Sequence, residues 1–310
     1  MREYLAKRSD ALSAVTVGVH LLIVLGPVYI SAVIGPGILM VLIWVYLGFS
    51  MNGILNLLHE CAHWHVFIKK ERSDLFGKYI LAPMVFADFE GYRKRHWDHH
   101  RYLGVEGETK DAYEVDIKGR NLFTFFLSCL ILKGAFKRFF KQIDKKPEET
   151  AAATPNPWFR NVIIFQGIFA ASLFVVSLLF NDFWTALLYS VITYGFVYLY
   201  GLMSLTVFAA TLRAVAEHQV HGEWQADTKG RAALRNFHCS FFGRFLMGAY
   251  GFAEHYTHHK FPAIPYYHLQ AASAEFTRKD ASYRPIGTYW SVIRTIFNSR
   301  KRQPHDPDPV

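Results

Sequence analysis

Charged residues are scarce in this 310-residue chain: 19% are Asp, Glu, Lys or Arg, against about 25% in an ordinary globular protein. That deficit excludes a highly charged, disordered chain. Cysteine is scarcer still. Cys61, Cys129 and Cys239 are too few and too scattered to form a disulfide framework. The places from which charge is missing matter most. Residues 11–34, 38–58, 162–180 and 183–212 contain no Asp, Glu, Lys or Arg, and His20 is their one histidine.

What fills those stretches is apolar; AVILMFWYC residues make up 52% of the chain. A bilayer crossing takes about 20 such residues, so the chain has four. The first is longer than the roughly 7–15 residues of a signal-peptide core and turns straight into a second, which argues against a cleaved leader. Gly35-Pro36-Gly37 joins the first pair and Asn181-Asp182 the second. These features predict an all-α membrane protein: four transmembrane helices in two hairpins, with a cytosolic helical cap. Residues 1–310 are expected to form one domain, with cytosolic segments at 59–161 and 213–302 and a disordered, proline-containing tail at 303–310. The fourth stretch, about 45 Å long at 1.5 Å per residue, exceeds a hydrocarbon core of about 30 Å. It must tilt or continue out of the bilayer as a rigid post.

Lys and Arg number 34 against 25 acidic residues, a net charge of +9. None of the 34 lies in a span or in either short turn. Cytoplasmic loops carry the Lys/Arg excess, so both termini and the central segment are expected in the cytosol, at the inner membrane if the source is bacterial. Topology therefore accounts for the basic charge, and no nucleic-acid motif competes for it. Between the hairpins, residues 75–85 are apolar but too short to span. Residues 121–140 mix phenylalanines with Lys133, Lys137 and Arg138, as an interfacial helix does. Residues 144–157 form a charged linker, expected to be mobile.

Nine of the 15 histidines fall into four groups. H-E-C-A-H holds His59 and His63, at the end of the second span. H-W-D-H-H holds His96, His99 and His100. His218 follows the fourth span, and H-Y-T-H-H holds His255, His258 and His259. Residues three and four apart share a helix face, so His59 aligns with His63, and the first histidine of each triplet with the two that follow. Neutral imidazole is the commonest metal ligand near neutral pH and suits iron, zinc, copper or nickel. One catalytic zinc takes three protein ligands; eight or nine histidines suit two metals. Two neighbouring redox metals can activate O₂ against an unactivated C–H bond. The helices bearing His59 and His218 emerge beside the proposed metals, so a lipid chain could reach them sideways from the bilayer.

These motifs resemble the membrane fatty acid desaturase superfamily, which has three histidine boxes flanking two hairpins. The likeness runs from His59 to about Leu269, and H-H-K-F-P-A-I-P-Y-Y-H-L is similar to the family's H-H-x-x-P-x-x-P-Y-x-x-L. The resemblance implies two Fe ions held by His59, His63, His96, His99, His100, His255, His258 and His259, with His218 matching the family's isolated extra histidine. O₂ is implied as co-substrate, a fatty acyl or related lipid chain as substrate and a double bond as product, with hydroxylation of a lipid, alkane or carotenoid as the alternative within the superfamily. In the acyl-CoA branch an Asn stands four residues before the extra histidine; here that position is Ala214, which departs from that branch. The metal centre itself would be the reactive group. Metal-bound histidines usually donate their other N–H to a carboxylate or carbonyl. Of the acids beside box histidines (Glu60, Asp98, Glu217 and Glu254), Asp98 and Glu217 are expected in that outer role, Arg213 and Glu217 as an ion pair or orienting groups, and His65 and His221 as bystanders. The sequence has no cytochrome b5-like haem segment, so a separate ferredoxin or cytochrome b5-like electron donor is implied.

One rival is a membrane zinc metalloprotease. His59-Glu60-Cys61-Ala62-His63 fits H-E-x-x-H with Glu60 as general base, but it leaves both H-x-x-H-H triplets unused. A metal transporter would place ionisable residues within the spans, and these offer only His20.

Overall fold

The computed structural model describes residues 7–103, 117, 120–134, 158–218 and 234–300. The linker at 144–157, the tail at 303–310, Lys137, Arg138 and His221 lie outside the described residues.

Among the described residues the chain is helical, with one isolated bridge between Phe237 and Gly287. Helices α1 (Asp10–Ile34) and α2 (Ile38–Ala62) form the first hairpin. The expected second span, 38–58, is extended by one turn. Leu57, Leu58, His59, Glu60, Cys61 and Ala62 are all buried, so the end of α2 is enclosed by protein and has no reason to stop at the last apolar residue. α3 (Lys70–Phe76) continues through a π-helical turn (Gly77–Leu81) into Ala82–Met84. This is the apolar segment too short to span. It is held by the bundle: Gln166 Nε2 donates to Pro83 O at 2.8 Å, and Tyr198 OH to Met84 O at 2.5 Å. α4 (Phe89–Tyr102) carries the second histidine group, and α5 (Leu122–Leu130) begins at the Asn121 cap.

The second hairpin pairs α6 (Trp158–Leu178) with a continuous 36-residue helix, Phe183–His218. That helix comprises α7 (Phe183–Ile192), two π-helical stretches (Thr193–Tyr200 and Leu202–Thr206) and α8 (Val207–His218). At 1.5 Å per residue it is about 54 Å long, well beyond a hydrocarbon core of about 30 Å. The helix runs unbroken past the apolar stretch that ends at Leu212 and so delivers His218 beyond it. The rest of the cap is α9 (Phe241–Leu246), α10 (His255–Lys260), α11 (Tyr266–Thr277) and α12 (Tyr289–Arg300).

Two glycines let the hairpins close on each other. Gly35 has φ +75°, and a Cβ there would lie 2.3 Å from the Tyr189 ring. A Cβ on Gly48 would lie 2.2 Å from Leu205 Cβ, so α2 and the fourth helix approach closely along the path to the histidines. Small polar side chains add hydrogen bonds between helices where the bilayer offers no hydrophobic drive. Tyr29 OH and Ser172 Oγ lie 2.8 Å apart, and Ser177 Oγ donates to Ala32 O at 2.6 Å. The result is an all-α membrane protein with four spans and a histidine-bearing cap on one end.

Candidate metal centre

His59 occupies the last turn of α2 and His63 is its C-cap. The helix ends there because Trp64 turns left-handed, with φ +57°, an unusual conformation for a bulky residue. The chain folds back so that His65 N donates to Glu60 O at 2.9 Å. α4 is pinned onto this end. Trp97 Nε1 donates to Ala62 O at 3.3 Å, and its ring lies 4.9 Å from that of His63.

α10 is held by two residues that spacing alone does not flag. Asn236 Nδ2 donates to Thr257 Oγ1 at 3.0 Å and to Tyr283 O at 2.8 Å, and its Oδ1 accepts from Thr257 N at 3.2 Å. Arg235, 1% exposed, donates from Nη1 to Ala216 O at 2.7 Å. It thus places a cation at the carbonyl end of α8, the favourable end of a helix dipole. Burial lowers its pKa to about 10.

These supports bring all nine predicted histidines together, in two adjoining groups. One ligand atom from each of His59, His63, His96, His100 and His258 lies within 4.8 Å of the others. Within this group, His96 Nε2 lies 2.6 Å from His63 Nε2 and 3.0 Å from His100 Nε2, and His100 Nε2 lies 3.2 Å from His258 Nε2. His99, His218 and His259 make a second set, which His255 joins with Nε2 2.9 Å from that of His218. The groups touch where the rings of His100 and His259 stack at 4.3 Å.

Helical geometry explains the division. Neighbouring residues on a helix point about 100° apart, so each H-H pair serves both groups. His99 faces the second while His100 faces the first. His259 faces the second while His258 faces the first.

The donor set fits metal ions. Two nitrogens at right angles, each about 2.1 Å from a metal, lie about 3.0 Å apart, close to the separations seen. Burial, followed by the neighbouring imidazoles, lowers the pKa of His63, His96, His255, His258 and His259, and that of His100 falls to about 3. The rings are therefore neutral ligands at pH 7. His59 Nδ1 donates to Glu60 Oε1 at 2.9 Å, leaving its Nε2 buried without a partner, and His259 Nε2 is likewise buried and unpartnered. Unpartnered buried nitrogens are costly unless something occupies them.

The acids distribute differently from expectation. Glu60 does the outer work: its Oε1 accepts from His59 and its Oε2 from His65 Nδ1 at 3.3 Å. His65 is thereby part of the support and not a bystander. Asp98 makes no hydrogen bond to a histidine among the described residues. It is half-buried on α4, where neighbouring positions point about 100° apart. Glu217 groups with His218 and His255, and Tyr289 OH lies 2.9 Å from its Oε1. Arg213 Nε stands 3.7 Å from the same oxygen, so these two residues form the expected ion pair. Glu254 is taken by Arg244 through bonds of 2.9 and 2.6 Å. Glu60 is thus engaged by His59 and His65 and is not free to act as the general base of a protease.

The fatty acid desaturase family model matches residues 36–290. The chain belongs to the fatty acid desaturase family. It is similar to an sn-1 oleoyl-lipid 12-desaturase of Anabaena variabilis, 21% identical over 88% of this chain and 79% of the relative. It is also similar to a sphingolipid delta(4)-desaturase of Bos taurus, 26% identical over 83% of this chain and 72% of that one. A beta-carotene ketolase of Haematococcus lacustris matches over a shorter stretch, 22% identical across 23% of each chain. This desaturase-family chain is a membrane oxidoreductase of lipid metabolism, with histidine clusters able to bind metal.

Proposed function

We propose that the chain is an O₂-dependent di-iron desaturase acting on a lipid-linked acyl chain. The observation that carries this is the convergence of nine imidazoles, in two adjoining groups, where α4 and α10 meet the ends of the two span helices that carry His59, His63 and His218. His59, His63, His96, His100 and His258 would hold one iron, and His99, His218, His255 and His259 the other, with Glu217 beside the second. Iron held there would relay electrons and supply Lewis acidity for O₂ chemistry at an unactivated methylene.

The protein's own groups prepare that site. Glu60 fixes the His59 tautomer, so that Nε2 presents its lone pair. Tyr289 and Arg213 hold Glu217 in place beside His218. Phe252, whose ring lies 4.6 Å from that of His59, adds an apolar wall that excludes water. Taking one hydrogen from each of two adjacent methylenes, with two more electrons and two protons, converts one O₂ to two waters and leaves an alkene.

Three features support the finer points. The relatives named above act, by name, on oleoyl-lipid and sphingolipid, and Ala214 offers no polar side chain one turn before His218; both favour a lipid-linked chain over a CoA thioester. The Lys/Arg distribution favours cytosolic termini and a cytosolic metal site. The electrons would come from a separate ferredoxin or cytochrome b5-like carrier. The ketolase likeness keeps hydroxylation as the second reading.

Lipid mass spectrometry of cells expressing the wild-type chain or His99→Ala tests the proposal. A new alkene that depends on iron and is lost in the variant is expected. A new hydroxyl would favour the second reading, and lipids unchanged by the wild type would count against both.

A further inference from the structure

On the histidine side of the bundle, α5, α8 and α12 enclose an open groove of about 680 Å³. Phe123, Phe126, Phe208, Trp290 and Phe297 supply its apolar wall, and Arg294 its cation. Phe123 and Trp290 are 66% and 59% exposed, and the apolar surface continues along α5 through Leu127 and Ile131. An exposed apolar patch of this kind marks a contact surface.

Its place along the fourth span puts it at the edge of the expected bilayer. Phe208 sits ten residues before His218 on the fourth helix, about 15 Å back towards the membrane, in the last turns of the apolar stretch that ends at Leu212. The groove thus opens where hydrocarbon gives way to head groups, the level at which tryptophan concentrates. Arg294 is exposed and has no acidic partner among the described residues. A guanidinium at that level matches a phosphate, which it can bind through two parallel hydrogen bonds.

We propose that this groove is a phospholipid seat, with one acyl chain on the rings of Phe123, Phe126 and Phe297 and the phosphate on Arg294. Its volume falls within the roughly 300–1,000 Å³ of sites that take a ligand of a few dozen atoms. The seat fixes the height of the cap against the membrane. It does not depend on the metal chemistry, so failure of one proposal leaves the other standing.

The test titrates the full-length, detergent-purified protein with dioleoylphosphatidylglycerol and, separately, with inorganic phosphate. Thermal unfolding and native mass spectrometry are the readouts. The wild type should show a saturable rise in Tm and retain one phospholipid; inorganic phosphate should do neither. Arg294→Glu should raise the half-saturating lipid concentration about tenfold or more, as loss of a charge-assisted hydrogen bond does, and Arg278→Ala should not. Quenching by a phospholipid brominated on its acyl chains should fall in Trp290→Phe, which keeps the proposal testable if the charge-reversed variant folds poorly. Lipid titration and quenching unchanged in both variants would overturn it. So would inorganic phosphate matching the lipid, or a dimer that covers the groove with no lipid bound.

Discussion

Glu60 Oε1 accepts a hydrogen bond from His59 Nδ1 at 2.9 Å, with both side chains almost wholly buried. One carboxylate therefore decides which nitrogen of His59 faces the five-histidine group, and its other oxygen reaches His65. Glu60→Gln keeps the shape but weakens this bond and frees the tautomer. Metal affinity of the first group should fall about 10- to 100-fold, read by competition with a chelator, while the helix content measured by circular dichroism stays unchanged.

The division of the histidines predicts separable losses. His63→Ala removes a ligand from the first group and His218→Ala one from the second. Each variant should retain about one iron against the two proposed for the wild type, by elemental analysis of purified protein. If either variant lost all its iron while remaining folded, the two groups would not be independent sites.

Acid should destabilise the metal-free protein. Burial depresses the pKa of His63, His96, His100, His255, His258 and His259. Below about pH 6.5 the unfolded chain takes up protons that the folded chain refuses, so the unfolded state binds more protons and stability falls. Each such histidine costs about 1.4 kcal/mol per pH unit, until its own depressed pKa is reached; for His100 that is about 3. Thermal unfolding between pH 8 and 5 should show Tm level above about 7 and falling steeply below about 6.5. A flat profile would mean that the rings are hydrated.

Asn236 ties α10 to the rest of the cap through Thr257, Ser273 and Tyr283. Asn236→Ala leaves several buried polar groups unpaired and should cost about 2–4 kcal/mol. A lowered Tm together with loss of metal from both groups is expected, since α10 carries His255, His258 and His259.

Much of this was legible in the sequence, because a bilayer imposes long apolar runs and metal ligation imposes regular spacing. The four spans and all nine histidines follow from those two constraints. The outer layer does not. Glu60 stood in an H-E-x-x-H pattern that equally fits a protease base, and only the fold shows that its carboxylate turns behind His59. Asp98 looked its equal by adjacency. Yet adjacency on a helix separates side chains by about 100°, which also sends His99 and His100 to different groups. Arg235 and Asn236 carry no spacing signal at all; they matter because the fold brings α8, α10 and α11 to one place.

Iron K-edge absorption of the purified, iron-loaded protein tests the central claim most directly. The account predicts two irons per chain, each surrounded by nitrogen and oxygen at about 2.1 Å, with imidazole scattering that dominates the outer shells and diminishes in His100→Ala. A single zinc with no iron bound, or iron that scatters without imidazole, would contradict it.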